Sequence, residues 1–115
     1  MTACIFCRIA SGEIPAQIIA RNEHALAFRD LNPQAPTHVL VITAAHLDSA
    51  ATATGAEGQR VLGEVMALGV EVAATLGLDA DGYRFVMNTG RDGGQSVGHL
   101  HLHLLGGRQM HWPPG

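Results

Sequence analysis

The chain contains no lysine: all seven of its basic side chains are arginines. A lysine nucleophile and the lysine of a phosphate-binding P-loop are therefore excluded. Aromatic residues make up only 4% of the 115 residues, so the core must be mainly aliphatic. Charged residues are sparse at 15%, with a net charge of -3. No basic patch or run is available for electrostatic binding to nucleic acid. There is no dense carboxylate cluster of the kind a two-metal phosphatase needs. No window approaches a membrane span. The opening MTACIFCRIASGE lacks a charged segment followed by a long apolar stretch, so no export signal is read and a cytoplasmic protein is expected. Its two cysteines, Cys4 and Cys7 in CIFC, should then be reduced. Repeats, charge runs and linkers are missing too, and the length suits one domain over residues 1–115.

What is present is strongly patterned. Apolar residues reach 47%, which argues against disorder. Residues 4–10 read as a short helical turn, with Ile5, Phe6 and Ile9 on one side. β-like runs follow at 17–21, 24–29 and 37–43, the last two separated by DLNPQAPTH, a loop signalled by its prolines. Between Gly55 and Leu76 the residues Val61, Leu62, Val65, Met66, Leu68, Val72, Ala73 and Leu76 recur at three- and four-residue spacing, predicting one long helix. Thr54 with Glu57 forms a capping-box pattern at its start, and Gly77 is a terminator. YRFVMN at 83–88 and HLHLHLL at 99–105 complete five strands. Strands with a single long helix inserted favour an α+β fold on an antiparallel sheet.

HLHLHLL carries the chemistry. In a strand, alternate side chains share a face, so His99, His101 and His103 stand in one row about 7 Å apart while Leu100, Leu102 and Leu104 enter the core. Lone histidines are usually structural, but three in strict alternation beside a glycine-rich loop call for a chemical explanation. One explanation is a catalytic zinc on three histidines with an open position for water. The other is nucleophilic catalysis by a neutral imidazole, whose reference pKa of about 6.5 suits neutral pH. His101, with a neighbour on each side, is then the natural nucleophile. The preceding DGGQSVG places glycines where backbone amides can approach an anion, and Ser96 adds a hydroxyl donor. Together these point to attack on a bound phosphate through a covalent phosphohistidine-type intermediate that water resolves.

GQSVGHLHLHLL resembles the histidine-triad motif, His-x-His-x-His followed by apolar positions. CIFCRIASGEIP, AFRDLNPQAPTHVLVI and LGGRQMHWPPG are similar to its Hint branch, the purine nucleoside phosphoramidate hydrolases, so the likeness spans nearly the whole chain. The resemblance implies the histidine-triad fold: an antiparallel sheet of about five strands with one long and one short N-terminal helix, in a homodimer. It implies a site for AMP-like purine nucleotides, hydrolysis of the P–N bond of adenosine 5'-phosphoramidates, and aminoacyl-adenylates as related substrates. By position, His101 matches the nucleophile, His99 and His103 the flanking triad members, and His38 the further histidine bonded into the triad. Asn88, Gly94, Ser96 and Val97 match phosphate-side positions, Ser96 assisting the leaving amine. Asp30 and Leu31 match a ribose-binding pair. Ile5, Phe6, Ile9, Phe28 and Leu40 match the apolar slot for the base, and Trp112 a residue reaching toward the partner subunit's site. Gly98 departs from the pattern, since relatives often carry a larger side chain there.

The resemblance leaves CIFC with two readings. Some family members hold a structural zinc at positions matching Cys4, Cys7, His46 and His99, a sound tetrahedral set. Others lack metal, and small part-buried thiols then explain the pair. No cofactor is required for catalysis in either case. Within the superfamily, a dinucleoside polyphosphate hydrolase, a nucleotidyl transferase and a nucleotide-binding regulatory module are the alternatives.

Overall fold

The computed structural model describes residues 3–115. α1 (Ile5–Ala10) precedes β1 (Ile18–Arg21), β2 (Ala25–Arg29) and β3 (Thr37–Thr43); α2 (Gly55–Thr75), β4 (Tyr83–Val86) and β5 (His101–Gly106) follow. The five strands form one antiparallel sheet in the order β1-β2-β3-β5-β4. β5, last in sequence, is thus inserted between β3 and β4. The class, the strand number and the two helices agree with the sequence reading. No helix among the described residues is long and apolar enough to cross a membrane.

The two faces of the sheet follow from the two-residue period of its strands. Ala25, Ala27, Val39, Val41, Leu102 and Leu104 point to one side, where Val61, Val65, Leu68, Val72 and Ala73 of α2 cover them. Leu100, Leu102 and Leu104 are each no more than 1% exposed. Burying one such side chain is worth about 1.5–3 kcal/mol, so these leucines fix which face of β5 turns inward. Leu26, Phe28, Leu40 and Ile42 point to the other side, where Phe6 and Ile9 of α1 form a smaller cluster with them.

The helix ends refine the sequence expectations. Gly77 adopts φ +73°, and the amides of Gly77 and Leu78 return to the carbonyls of Ala74 and Ala73. This left-handed glycine terminates α2 as expected. The capping box expected at Thr54 does not form: Thr54 has the extended backbone of an N-cap, but its side chain caps nothing. The reciprocal bonds occur instead between Ser49 and Thr52, around the 3-10 turn Ala50–Thr52. The first turn of α2 packs directly on the end of that segment. A Cβ on Gly58 would lie 2.2 Å from the carbonyl carbon of Ala53.

Two α2 glycines therefore have opposite tasks. Gly63 faces open space. Gly63→Ala should raise stability by about 0.5–1 kcal/mol through helix propensity. Gly58→Ala should lower it by about 1–3 kcal/mol through overpacking, despite the same propensity gain. Urea unfolding midpoints of the two variants check the pair; a shift of the same sign in both would contradict the close approach.

Candidate active site

β3 and β5 present the histidines. With Leu102 and Leu104 committed to the α2 core, His101 and His103 must emerge on the opposite face. There His103 pairs across the sheet with Leu40, and His101 with Ile42. His38, at the start of β3, lies diagonal to His103. His99 departs from the expected row, because β5 begins only at His101 and His99 belongs to the entering loop. Its ring is fully buried and turned to a different set of partners.

The hydrogen-bond acceptors assign the imidazole tautomers. His101 Nδ1 lies 2.7 Å from the carbonyl oxygen of His99. A carbonyl only accepts, so Nδ1 carries a proton, and in the uncharged tautomer the lone pair is on Nε2. His38 Nδ1 accepts the Gln34 backbone N–H at 3.0 Å, which puts the His38 proton on Nε2. That proton is donated to His103 Nδ1 at 2.9 Å, with the Asp30 carboxylate 3.5 Å away. A neutral His103 then carries its own proton on Nε2. Asp30, His38 and His103 are close enough together to suggest a metal site. The Nε2–H of His38 makes them a hydrogen-bonded relay instead.

His99 is oriented the other way. Its Nε2 donates to the Thr43 carbonyl at 2.8 Å, with the Thr43 hydroxyl at 3.1 Å. Its bare Nδ1 faces the sulfurs of Cys4 at 3.2 Å and Cys7 at 3.5 Å. His46 repeats the arrangement: Nε2 donates to Asp48 Oδ1 at 2.9 Å, and Nδ1 lies 3.3 Å from Cys7 Sγ. All four ligand atoms of Cys4, Cys7, His46 and His99 lie within 4.8 Å of one another. Tetrahedral zinc with ordinary bond lengths separates such atoms by about 3.3–3.8 Å, so the donor set fits that ion with little movement. Thr43 and Asp48 supply the outer acceptors that metal-bound histidines usually have. The three motif histidines do not converge on one point, because His99 and His103 are committed to different partners.

The electrostatics match these roles. Burial, with the neighbouring His101 and His38, pushes His103 down to about 4. Burial also lowers His38, against the opposing pull of Asp30, and lowers His99. Burial raises the Cys4 thiol, but hydrogen bonds from Cys7 and His46 outweigh it and the net shift is downward. The hydrogen bond to Asp48 raises His46. His38, His99 and His103 are thus biased toward the neutral form, and the Cys4 thiol toward thiolate.

The remaining expected residues divide. Asn88 donates to the Gly93 carbonyl at 2.7 Å, closing the loop that carries Gly94 at φ +74°. Ser96 is exposed on that loop and Val97 packs against the α1-side cluster. Phe6, Ile9, Phe28 and Leu40 are buried together, and Phe6 meets His101 edge-on at 5.2 Å. Ile5 is 48% exposed and stands outside this cluster, since its place on α1 turns it away from the sheet. Asp30 is half-buried beside His38, whereas Leu31 is 97% exposed. Trp112 is 85% exposed on a tail anchored by Arg84, which donates to the His111 carbonyl. Two clefts, of about 660 and 290 Å³, are lined by other residues. The outer acceptors Thr43 and Asp48 and the relay's backbone donor Gln34 were not singled out from sequence. Nothing in their local pattern separates them from a strand end or an ordinary loop.

The depressed His103 has a measurable consequence. Its folded pKa of about 4 lies below the unfolded 6.5. Between these values the unfolded chain takes up a proton that the folded chain refuses, so stability falls as pH drops through that window. Urea unfolding should show a steeper decline from pH 6.5 to 4.5 in the wild type than in His103→Asn. Equal slopes would place His103 in an ordinary environment.

A family model for the HIT domain matches residues 11–110. The chain is 48% identical over 112 residues to a 14 kDa zinc-binding protein of Zea mays, covering 96% of this chain and 87% of that one. A HIT family hydrolase from Legionella pneumophila superposes with a TM-score of 0.92 at 46% identity, covering 97% of this chain and 99% of that one. A histidine triad nucleotide-binding protein from Candida albicans does so with a TM-score of 0.82 at 29% identity, over 96% and 83% of the two chains. With His101 and His103 on one sheet face, His99 at the entry to β5 and these likenesses over almost its full length, the chain belongs to the HIT domain family.

Proposed function

We propose that the protein is a purine nucleoside phosphoramidate hydrolase of the Hint branch, working as a cytoplasmic homodimer. The observation that carries this reading is the 2.7 Å bond from His101 Nδ1 to the His99 carbonyl. It puts the ring proton on Nδ1, so that the lone pair of the uncharged imidazole is on Nε2, where it can act as the nucleophile. The relation to HIT family hydrolases supports hydrolysis, and the nucleotide-binding relative supports the substrate class.

In this mechanism the 5'-phosphoramidate lies across the histidine face, its phosphate held by the loop of Asn88, Gly94, Ser96 and Val97. Asp30 and Leu31 receive the ribose, and Phe6, Ile9, Phe28 and Leu40 lie beneath the base. Ile5 borders the slot from outside it. His101 Nε2 attacks phosphorus; the P–N bond breaks, and the leaving nitrogen takes a proton through the Ser96 hydroxyl. His103 Nε2–H donates to a phosphate oxygen, held to that task by the Gln34–His38 relay. Water then attacks the phosphorus of the nucleotidyl-histidine, and the proton it gives up replaces the one carried off by the amine, releasing AMP and restoring His101 and Ser96. Aminoacyl-adenylates fit the same attack, with a carboxylate as leaving group. In the homodimer, the exposed Trp112 gains burial against the partner.

Cys4, Cys7, His46 and His99 would hold a structural zinc. Bound there, it would supply a cross-link between the start of α1, the segment after β3 and the entry to β5. No bond-making step passes through it.

The decisive test is covalent trapping. Incubation with a slowly hydrolysed adenosine phosphoramidate, followed by acid-free digestion and mass spectrometry, should place AMP on His101. His101→Ala should lose about a thousandfold or more of turnover while retaining the wild-type melting temperature. AMP on another residue, or full activity in the variant, would overturn the mechanism. Metal analysis should find zinc in the wild type and little in a Cys4→Ser, Cys7→Ser variant.

A further inference from the structure

One side chain joins the cysteine–histidine cluster to the glycine-rich loop. Gln95 is half-buried between the loop at 88–97 and the segment at 46–48. Its Nε2 donates to the Asp48 carbonyl at 2.6 Å and to the Val97 carbonyl at 2.9 Å. Its Oε1 accepts the Gly90 N–H at 2.9 Å, while its own backbone N–H returns to the Gly90 carbonyl at 3.0 Å. Only a primary amide offers two donors and an acceptor at one side-chain end, and here both kinds are used.

The partners are telling. Asp48 is the residue whose carboxylate holds His46, one of the four potential metal ligands. The same segment is tied a second time, where the Leu100 N–H donates to the Leu47 carbonyl at 2.7 Å. Leu100 follows His99, another of those ligands, and the His99 carbonyl holds His101. On the other side, Gly90 and Val97 bracket the loop. That loop contains Gly90, Gly93 and Gly94 and is largely exposed, so its conformational freedom is high unless something restrains it.

Resting on the functional reading above, we propose that Gln95 is a positioning residue through which metal in the Cys4–Cys7–His46–His99 cluster and nucleotide phosphate on the loop strengthen each other's binding. Metal fixes His46 and His99, and with them the Asp48 carbonyl that Gln95 grips. A fixed Gln95 holds the Gly90–Gln95 turn and the Val97 peptide in the shape that receives phosphate. Whichever ligand binds first orders the shared strut, and the second binds to a loop already ordered. Linkage requires the effect to be the same size in both directions.

The test measures two affinities in four states. Zinc affinity is read by competition with a chromophoric chelator, with and without saturating AMP. AMP affinity is read by calorimetry, with and without zinc. In the wild type each ligand should tighten the other by the same factor, about fivefold or more. In Gln95→Glu the carboxylate can still accept the Gly90 N–H but repels the carbonyls of Asp48 and Val97. Both ligands should still bind there, and the factor should fall to near one. Independent binding in the wild type overturns the inference without needing any variant to fold. Undiminished coupling in Gln95→Glu overturns the role of Gln95. Failure of AMP to bind overturns the functional reading and this inference with it, whereas failure of zinc alone to bind overturns this inference and leaves the hydrolase reading standing.

Discussion

Everything on the histidine face depends on what the other face of β5 must do. Leu100, Leu102 and Leu104 are buried against α2 and its neighbours, and β5 lies inside the sheet with β3 on one side and β4 on the other. Shifting β5 by one residue would bring imidazoles into the apolar core and leucines out of it, at a cost of several kcal/mol. The register is therefore determined by aliphatic burial. The imidazoles are placed by it and need contribute nothing to the fold to be held accurately.

Placement alone does not make a nucleophile, since an imidazole can carry its proton on either nitrogen. Here the choice is made by groups that can only give or only take. The His99 carbonyl takes the His101 proton, the Gln34 amide gives to His38, and the Thr43 carbonyl takes the His99 proton. Each commitment propagates to the next ring. His38 must donate to His103, and His99 must turn its bare nitrogen to the cysteines. Burial then lowers His103, which keeps it a neutral donor through the physiological range. Backbone geometry thus sets the protonation pattern, and backbone geometry follows from the sheet.

The sheet and the long helix were legible because burial leaves a period in the sequence. All five strands and both helices lie within a residue or two of where the alternation and the three- and four-residue spacing put them. Gly77 was legible because few other residues take its backbone conformation. The capping box at Thr54 was a pattern without its bond, and the one that forms, between Ser49 and Thr52, lies a few residues earlier. His99 illustrates the same limit. Its spacing is perfect for a row of three, yet the strand starts two residues later. Contacts such as Gln95 with Asp48 join positions 47 apart in the chain and leave no periodic mark.

That misfit of His99 turns the side chains of one short motif to two different sets of partners. A ring on the β5 face would point where His101 and His103 point, and could not reach Cys4 and Cys7. By standing in the loop, His99 turns its side chain to the thiols while its carbonyl still lies beneath His101. Side chain and main chain of a single residue therefore face different sites. The separation matters chemically, because a metal held by the His99 ring would use Nδ1 and leave Nε2 of His101 untouched. A metal shared along the whole row would have consumed the lone pair of that nitrogen. The irregular start of β5 would thus keep the cysteine–histidine cluster compatible with the proposed nucleophile two residues away.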